Sequence, residues 1–488
     1  MSKNDLTWVT PRKEFEAYRW DNDYYDPLLL SILHAAKKQS SHTLAPYYAK
    51  VHPASTVKKQ HASKIAVKAL SVRDVESGFI FPHVPRYIES QHGSYAKANT
   101  VLVTRAGIQG IAAPVLDLPS FWSSMKPVYT LSDDGNGLAI TSDLLLAEIE
   151  GSLSAEILAA YISSPVGRSI TRRLVYGISN RHLRTADVAS MPIPDLLKDF
   201  ETPLELHTRS FYEAMAKLFD LSEKFTEGII PAFNSICAIA EQNILVSKAD
   251  PYRLDYSWNQ FVKIRDVLAK LGFFELERII GNVKSGGSVK KSDAGFLVLG
   301  TRDLKPNAVL PRGEKPRIVE HVRESNWANT GDLLMAEVGG EISVGTTAVV
   351  PREIEHWKML GFSVRRDGIA VSSDIMRLQI KPRKDTGFIS VFLNSPLGRV
   401  QLGALSFTTK QTRIRSYEVG KILIPEPKSS NEYIQTLEQM NSSIIGIRKI
   451  IDIQIPKALG LDTELTMRMA RPYMARVKPL PHLNSYFE

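Results

Sequence analysis

One cysteine, Cys237, stands in 488 residues. It allows no internal disulfide and no Cys-rich zinc site, and its apolar neighbours Ile236 and Ala238 mark a small buried side chain rather than a nucleophile. No window approaches the roughly 20 unbroken apolar residues that a bilayer span needs. The start Met1-Ser-Lys-Asn-Asp5 lacks a signal peptide's apolar core, so a cytosolic protein with no membrane association is expected. Enzyme signatures are missing too. Gly281-Asn-Val-Lys-Ser-Gly-Gly-Ser288 mimics a phosphate loop but has Gly287 where the lysine belongs. There is no Asp or Asn followed by Pro-Pro and an aromatic residue, no Gly-x-Ser-x-Gly and no His-Glu-x-x-His, and the 11 histidines are scattered singly. No catalytic residue, metal site or cofactor of its own is expected.

What is present is a globular composition, 43% hydrophobic and 23% charged, long enough for two cores. A net charge of +9 biases the chain toward polyanions. An internal repeat organises it. Residues 137–195 align without a gap on 368–426, at a constant shift of 231. Gly137-Leu-Ala-Ile-Thr-Ser-Asp143 faces Gly368-Ile-Ala-Val-Ser-Ser-Asp374, Ser164-Pro-Val-Gly-Arg168 faces Ser395-Pro-Leu-Gly-Arg399, and Ile193-Pro194 faces Ile424-Pro425. Upstream, Val101–Gly107 resembles Leu333–Gly339, and Arg19-Trp-Asp21 resembles Arg253-Leu-Asp255. A period this long means duplicated domains rather than a solenoid.

Short apolar runs stopped by glycine predict strands at 101–104, 127–131, 333–335 and 369–371, and helical spacing ending at Ser-Pro predicts helices over 153–163 and 386–394. The class is α+β: two duplicated α+β domains, separated by two long antiparallel coiled-coil helices. The first seam advances by fours and threes through Phe211, Met215, Leu218, Ser222, Phe225, Ile229, Ala232, Ile236 and Ile239, with Pro231 set to kink or split it, and the second through Tyr433, Leu437, Met440, Ile444, Ile447 and Ile451. A helix of about 28 residues is roughly 42 Å long, close to one turn of DNA. The divisions expected are a first domain over 1–200, a spacer helix over 203–247, a second such domain over 250–427, a second spacer over 430–459 and a basic tail over 460–488 with no counterpart in the first copy.

The positive chemical signal is basic and polar. Copy one holds Arg168, Arg172, Arg173, Asn180, Arg181, His182 and Arg184 without an intervening acid, and copy two holds Arg399, Lys410, Gln411, Arg413 and Arg415. Further cations cluster at Lys58, Lys59, Lys64 and Arg73, and at Lys284, Lys290, Lys291, Arg302 and Lys305. Arginine reaches phosphate or guanine bidentately and Asn or Gln pairs with adenine, so these are candidate contacts to double-stranded DNA; the competing reading is a solvated charged face.

The Arg19-Trp-Asp-Asn-Asp-Tyr-Tyr-Asp-Pro27 opening, the strand-Gly phrases at Gly107 and Gly339, the Ser-Pro-x-Gly-Arg to Ile-Pro end of each copy and the helices that follow together resemble the specificity subunits of type I restriction–modification systems. The resemblance implies a non-catalytic subunit that reads a split DNA sequence with two target recognition domains, here 1–200 and 250–427. It also implies that the two helices, through residues such as Phe211, Leu218, Phe225, Leu437, Ile444 and Ile451, dock methyltransferase subunits and a translocase/nuclease or another defence effector. S-adenosylmethionine, ATP and Mg²⁺ would then belong to partners only. The alternatives are the same architecture serving a non-methylating defence complex, a metal-dependent nuclease, and a pure scaffold.

Overall fold

The structure, a computed structural model, describes residues 26–54, 66–82, 86–89, 94–126, 128–132, 134–135, 137–175, 182–227, 229–241, 256–287, 290–311, 317–340, 343–365, 367–408, 412–427 and 430–471. It forms two compact units, 1–209 with 446–472 and 210–445 with 473–488. The division passes through both long helices.

In the first unit, α1 (Pro27–Lys38) is capped by Asp26, whose carboxylate accepts the amide of Leu28 at 2.9 Å. The central sheet comprises β1 (Ala49–Pro53), β2 (Thr100–Thr104), β3 (Ala112–Val115) and β4 (Leu144–Ile149), ordered β1-β4-β2-β3 and antiparallel throughout. α2 (Ala155–Ser163) packs on β2 and β3, and α3 (Pro165–Leu174) follows after a one-residue corner. The first long helix, α4 (Glu201–Glu227), comes next. It ends short of the expected Ile239: α5 (Ile230–Glu241) is a separate helix with Pro231 in its first turn, where a missing amide hydrogen costs nothing.

The second unit opens with α6 (Tyr256–Lys270) and carries β5 (Ile280–Ser285), β6 (Trp327–Asn329), β7 (Leu333–Ala336), β8 (Thr347–Val349), β9 (Val364–Arg365), β10 (Gly368–Ala370) and β11 (Ile375–Ile380). Its central sheet runs β5-β11-β7-β8, again antiparallel. This is the strand order of the first unit, with β4 and β11 displaced by the same 231 residues as the sequence repeat. α7 (Thr386–Asn394), α8 (Pro396–Leu405) and the second long helix, α9 (Ser430–Lys449), follow. The agreement extends to single bonds. Ser163 Oγ accepts the Ala112 amide at 2.8 Å, and Asn394 Oδ1, at the matching place, accepts the Thr347 amide at 3.1 Å. Left-handed turn positions match with the two tolerant residues exchanged: Gly78 for Asn307, and Asn99 for Gly331.

The Ser-Pro-x-Gly-Arg phrase proves architectural. Ser164 and Ser395 cap α3 and α8 by accepting the amides of Gly167 at 3.1 Å and Gly398 at 3.3 Å, with proline in the first helical turn. The glycines exist because the preceding helix end presses on them. A Cβ on either would sit 2.2 Å from a backbone carbonyl oxygen, that of Tyr161 or of Phe392.

Two expectations need correction. Of the strand expected over 127–131, residue 127 lies outside the described residues, 128–129 turn, and only Thr130, bonded to Lys68 and Ala139, and Leu131, in a bridge to Leu138, pair. And residues 463–470 of the expected tail do have a counterpart, while 472–488 lie outside the described residues. α10 (Thr463–Ala470) packs on α1 and α3 in the first unit, as α5 packs on α6 and α8 in the second. Arg172 Nη1 donates to Met469 O at 2.8 Å, and Arg471 lies 3.3 Å from Asp452, itself 2.7 Å from Arg448. The likeness is in packing rather than in residue identity, so alignment misses it.

The long helices pair antiparallel. Within the second unit, Ser210 of α4 meets Gln439 and Ser443 of α9 at 3.2 and 3.0 Å, while Lys217 meets Glu432 at 3.1 Å. An aromatic cluster of Phe225, Phe388, Phe392 and Tyr433 joins both helices to α7, with ring centroids 5.1 to 5.9 Å apart. Within the first unit, the ring of His207 lies over Gly446. Burial and then the ammonium of Lys449 hold its pKa below the ordinary histidine range. The unfolded chain therefore takes up this proton first, and the contribution is lost as pH falls through the ordinary histidine range. Between about pH 7.5 and about pH 5.5, wild type should lose more thermal stability than His207→Gln; parallel pH profiles would contradict this.

Candidate nucleic-acid interface

The outer face of each central sheet is where the units differ. On β5 and β11 every second residue is polar: Asn282 and Lys284, paired in register with Gln379 and Arg377. The matching positions on β1 and β4 are Lys50 and His52, in register with Glu148 and Leu146. Leu146 is buried, and His52 Nε2 lies 2.9 Å from Glu148. Core partners on the opposite face exchange one apolar residue for another, as Leu145 for Met376 and Ala147 for Leu378.

In the second unit this polar face floors a cavity of about 430 Å³, walled by Glu324, Ser325, Trp327, Asn329 and Arg365. The guanidinium of Arg365 lies over the indole of Trp327, 4.8 Å from the ring centroid, and Arg365 Nη1 meets Glu324 at 2.8 Å. Arg377 Nη2 donates to Ser325 O at 2.7 Å. Burial lowers the pKa of Arg377, opposed by Asp332, and its Nε is buried with no hydrogen-bond partner among the described residues. Burial likewise raises the pKa of Asp332, whose carboxylate accepts the Asn329 amide at 2.8 Å. An adjoining cavity of about 390 Å³ shares Asn329, Asp332 and Gln379 and adds Lys381 and Arg383.

The expected contact residues fall into three groups. Lys284, Lys290, Arg302 and Arg413 of the second unit and Arg73 of the first are exposed. Arg413 sits on a short strand beside Val338, near enough to Glu337 to oppose the rise that burial imposes on that carboxyl's pKa. Arg415 is exposed, with its guanidinium 4.6 Å from the Phe407 ring. His182 is half-buried. Lys58, Lys59, Lys64, Asn180, Arg181, Lys410, Gln411 and the side chain of Lys291 lie outside the described residues.

The third group is spent inside the fold. Lys305 is only 2% exposed, and Arg168 and Arg173 are buried. Arg399, the repeat partner of Arg168, is desolvated enough to lower its pKa. Arg172 is bonded to α10, and Arg184 makes a two-point pair with Asp187 at 2.7 and 2.8 Å. Of these, Arg172 is bonded from one helix to another, while Arg184 stays exposed beside its Asp187 partner and so belongs with the cations that meet solvent. The seam residues Phe211, Leu218, Leu437, Ile444 and Ile451 are likewise buried, and Phe225 is half-buried in the aromatic cluster, so they form core and not a docking face. An exposed apolar residue of α4 is instead Leu206, at 66%.

Sequence reasoning passed over Asn282, Arg365, Arg377, Gln379, Lys381 and Arg383. A signal was there for half of them: strict polar alternation through Asn282-Val-Lys-Ser285 and Met376-Arg-Leu-Gln379 marks strands with one solvated face. Among the described residues, no group of His, Cys, Asp and Glu is placed to hold a metal ion and no helix is long and apolar enough to cross a membrane.

No family model and no curated protein matches the chain. Solved structures do. The type I restriction–modification S subunit from M. genitalium is 14% identical with a TM-score of 0.26, covering 90% of this chain and 96% of that one. A chain from a structure of type I R-M complex assembly and conformational transition is 13% identical with a TM-score of 0.23, covering 89% and 99%. The HsdS subunit from Thermoanaerobacter tengcongensis is 12% identical with a TM-score of 0.21, covering 90% and 98%. The chain is thus similar along about nine tenths of its length to type I S subunits, a likeness that at these TM-scores adds no weight to a functional assignment.

Proposed function

We propose that this chain is a non-catalytic DNA-recognition subunit of a type I restriction–modification system or a related antiphage complex, each unit reading one half of a bipartite duplex site. One observation carries the reading: the two units share strand order, corner glycines and caps, yet differ in the residues that project from the outer sheet face, exposed Lys284 and Gln379 of the second unit standing where the first has His52 and Glu148, with exposed Lys50 beside them. A common scaffold with two different polar faces is what reading two unlike half-sites requires. The exposed cations supply phosphate contacts. Methyltransferase subunits, and a translocase/nuclease or another effector, would bring S-adenosylmethionine, ATP and Mg²⁺. They would dock on exposed helix positions such as Leu206 rather than on the buried seams.

Mobility-shift titration of the full chain with its partner subunits, across a salt series, tests this. Affinity should fall steeply with salt. Lys284→Ala and Arg413→Ala should each cost about 1–3 kcal/mol or lower the salt slope by about 1, with altered sequence preference confined to one half-site; Lys50→Ala should act on the other. Binding indifferent to salt, or equal loss of preference at both halves, would contradict the reading.

A further inference from the structure

The second unit's sheet-face cavity is recessed, and that limits what can reach it. Duplex DNA presents its base edges from within a groove, so a side chain must project to read them. Arg377 and Asn282 do the opposite: they are half-buried at the floor of a cavity whose walls are Trp327, Asn329 and Arg365. Only a group that protrudes into the cavity meets them. The cavity volume, about 430 Å³, is that of a small-ligand site.

We propose that this cavity binds a single nucleotide, taking the base inside and the phosphate at its rim. The proposal rests on the DNA-recognition reading only for where the nucleotide comes from. Three features define the ligand class. Trp327 and the guanidinium of Arg365, 4.8 Å from the indole centroid, both line the cavity, and bases stack on indole rings and on arginine planes. Asn282, Gln379 and Asn329 line the same cavity with paired donors and acceptors that match a base edge. Arg377 brings a buried Nε without a partner among the described residues, a donor that a buried acceptor would satisfy at the cost of no existing bond. For the phosphate, exposed Lys284 lies on the cavity lining and exposed Lys381 and Arg383 on the adjoining one.

The site belongs to one unit alone. At the matching positions of the first unit stand Leu146 for Arg377, Glu148 for Gln379, Ser132 for Arg365, these last two opposite Gly137 and Gly368, and, at the repeat shift, Glu150 for Lys381. Leu146 in the place of Arg377 offers a base no hydrogen bond, and Glu148 in the place of Gln379 adds a carboxylate, whereas the carboxylates of the second unit's cavity, Glu324 and Asp332, stand beside Arg365 and Arg377. Two sources can supply the same chemistry: a free nucleotide, or a base turned out of bound DNA.

The test uses the full-length chain in two arms. Calorimetry with the four nucleoside monophosphates should show at least one binding about tenfold more tightly than inorganic phosphate, with the affinity reduced about tenfold by Arg377→Gln and about threefold by Gln379→Ala. Gln379 is exposed, so that variant keeps its fold. In the second arm, duplex carrying 2-aminopurine reports unstacking by fluorescence, compared between wild type and the same variants. Response in the first arm alone assigns a free nucleotide; a response in the second that Arg377→Gln abolishes assigns a base from DNA. Silence in both arms, or responses unchanged in both variants, overturns the proposal. Neither result bears on whether mobility shift detects duplex binding, so the failures stay separate.

Discussion

Replacing Gly398 by alanine should destabilise the second unit by about 3 kcal/mol or more, whereas the same change five residues along the same helix, at Gly403, should be neutral or stabilising by about 0.5–1 kcal/mol. A Cβ at 398 would meet Phe392 O at 2.2 Å and Leu393 Cα at 2.6 Å, while a Cβ at 403 meets nothing within 4 Å. The atoms struck at 398 are backbone of α7, and α7 cannot retreat: Phe388, Ile389 and Phe392 along it are buried. For a unit of this size the loss corresponds to a melting shift of roughly 6–12 °C. Gly167 carries the same contact in the first unit, with Tyr161 O at 2.2 Å, so Gly167→Ala should lower the other unit's transition. Calorimetric scans that show similar melting for Gly398→Ala and Gly403→Ala would contradict the close-approach account.

The second large effect separates core from docking on the long helices. Leu437 of α9 is 1% exposed. Truncation to alanine should cost about 2–5 kcal/mol, measured by denaturant unfolding, and should weaken partner binding only in proportion to unfolding. Leu206 of α4 projects into solvent, and Leu206→Ala should leave stability within about 0.5 kcal/mol. If it also lowers affinity for a purified partner subunit, the outer helix face is the docking surface. A Leu437→Ala protein of unchanged stability that loses partner binding would restore the seam as the docking face.

The basic stretches show where sequence reading fails and why. Arg168, Arg172, Arg173, Arg184 and Arg399 look alike on paper to Arg413, an exposed cation. Their fates differ because a guanidinium is drawn inward where a carbonyl from another element comes within reach, as Met469 O does for Arg172, whereas Arg184, paired with Asp187 three residues on, stays exposed. Recurrence in both copies, which argued for DNA contact at Arg168 and Arg399, reflects a shared structural place beside the Ser-Pro corner instead.

From the residues alone came the duplication, the matched strands and helices of its two copies, the corner at each Ser-Pro and the two seams, because each is a local periodicity or a comparison of the chain with itself. Tertiary structure alone decided which cations meet solvent, that α10 takes in the first unit the place α5 takes in the second, and that Asn282, Trp327, Arg365 and Arg377 converge on one cavity. The reason is common to all three: exposure and convergence are set by which distant element packs against a residue, and no spacing within a segment encodes its neighbour.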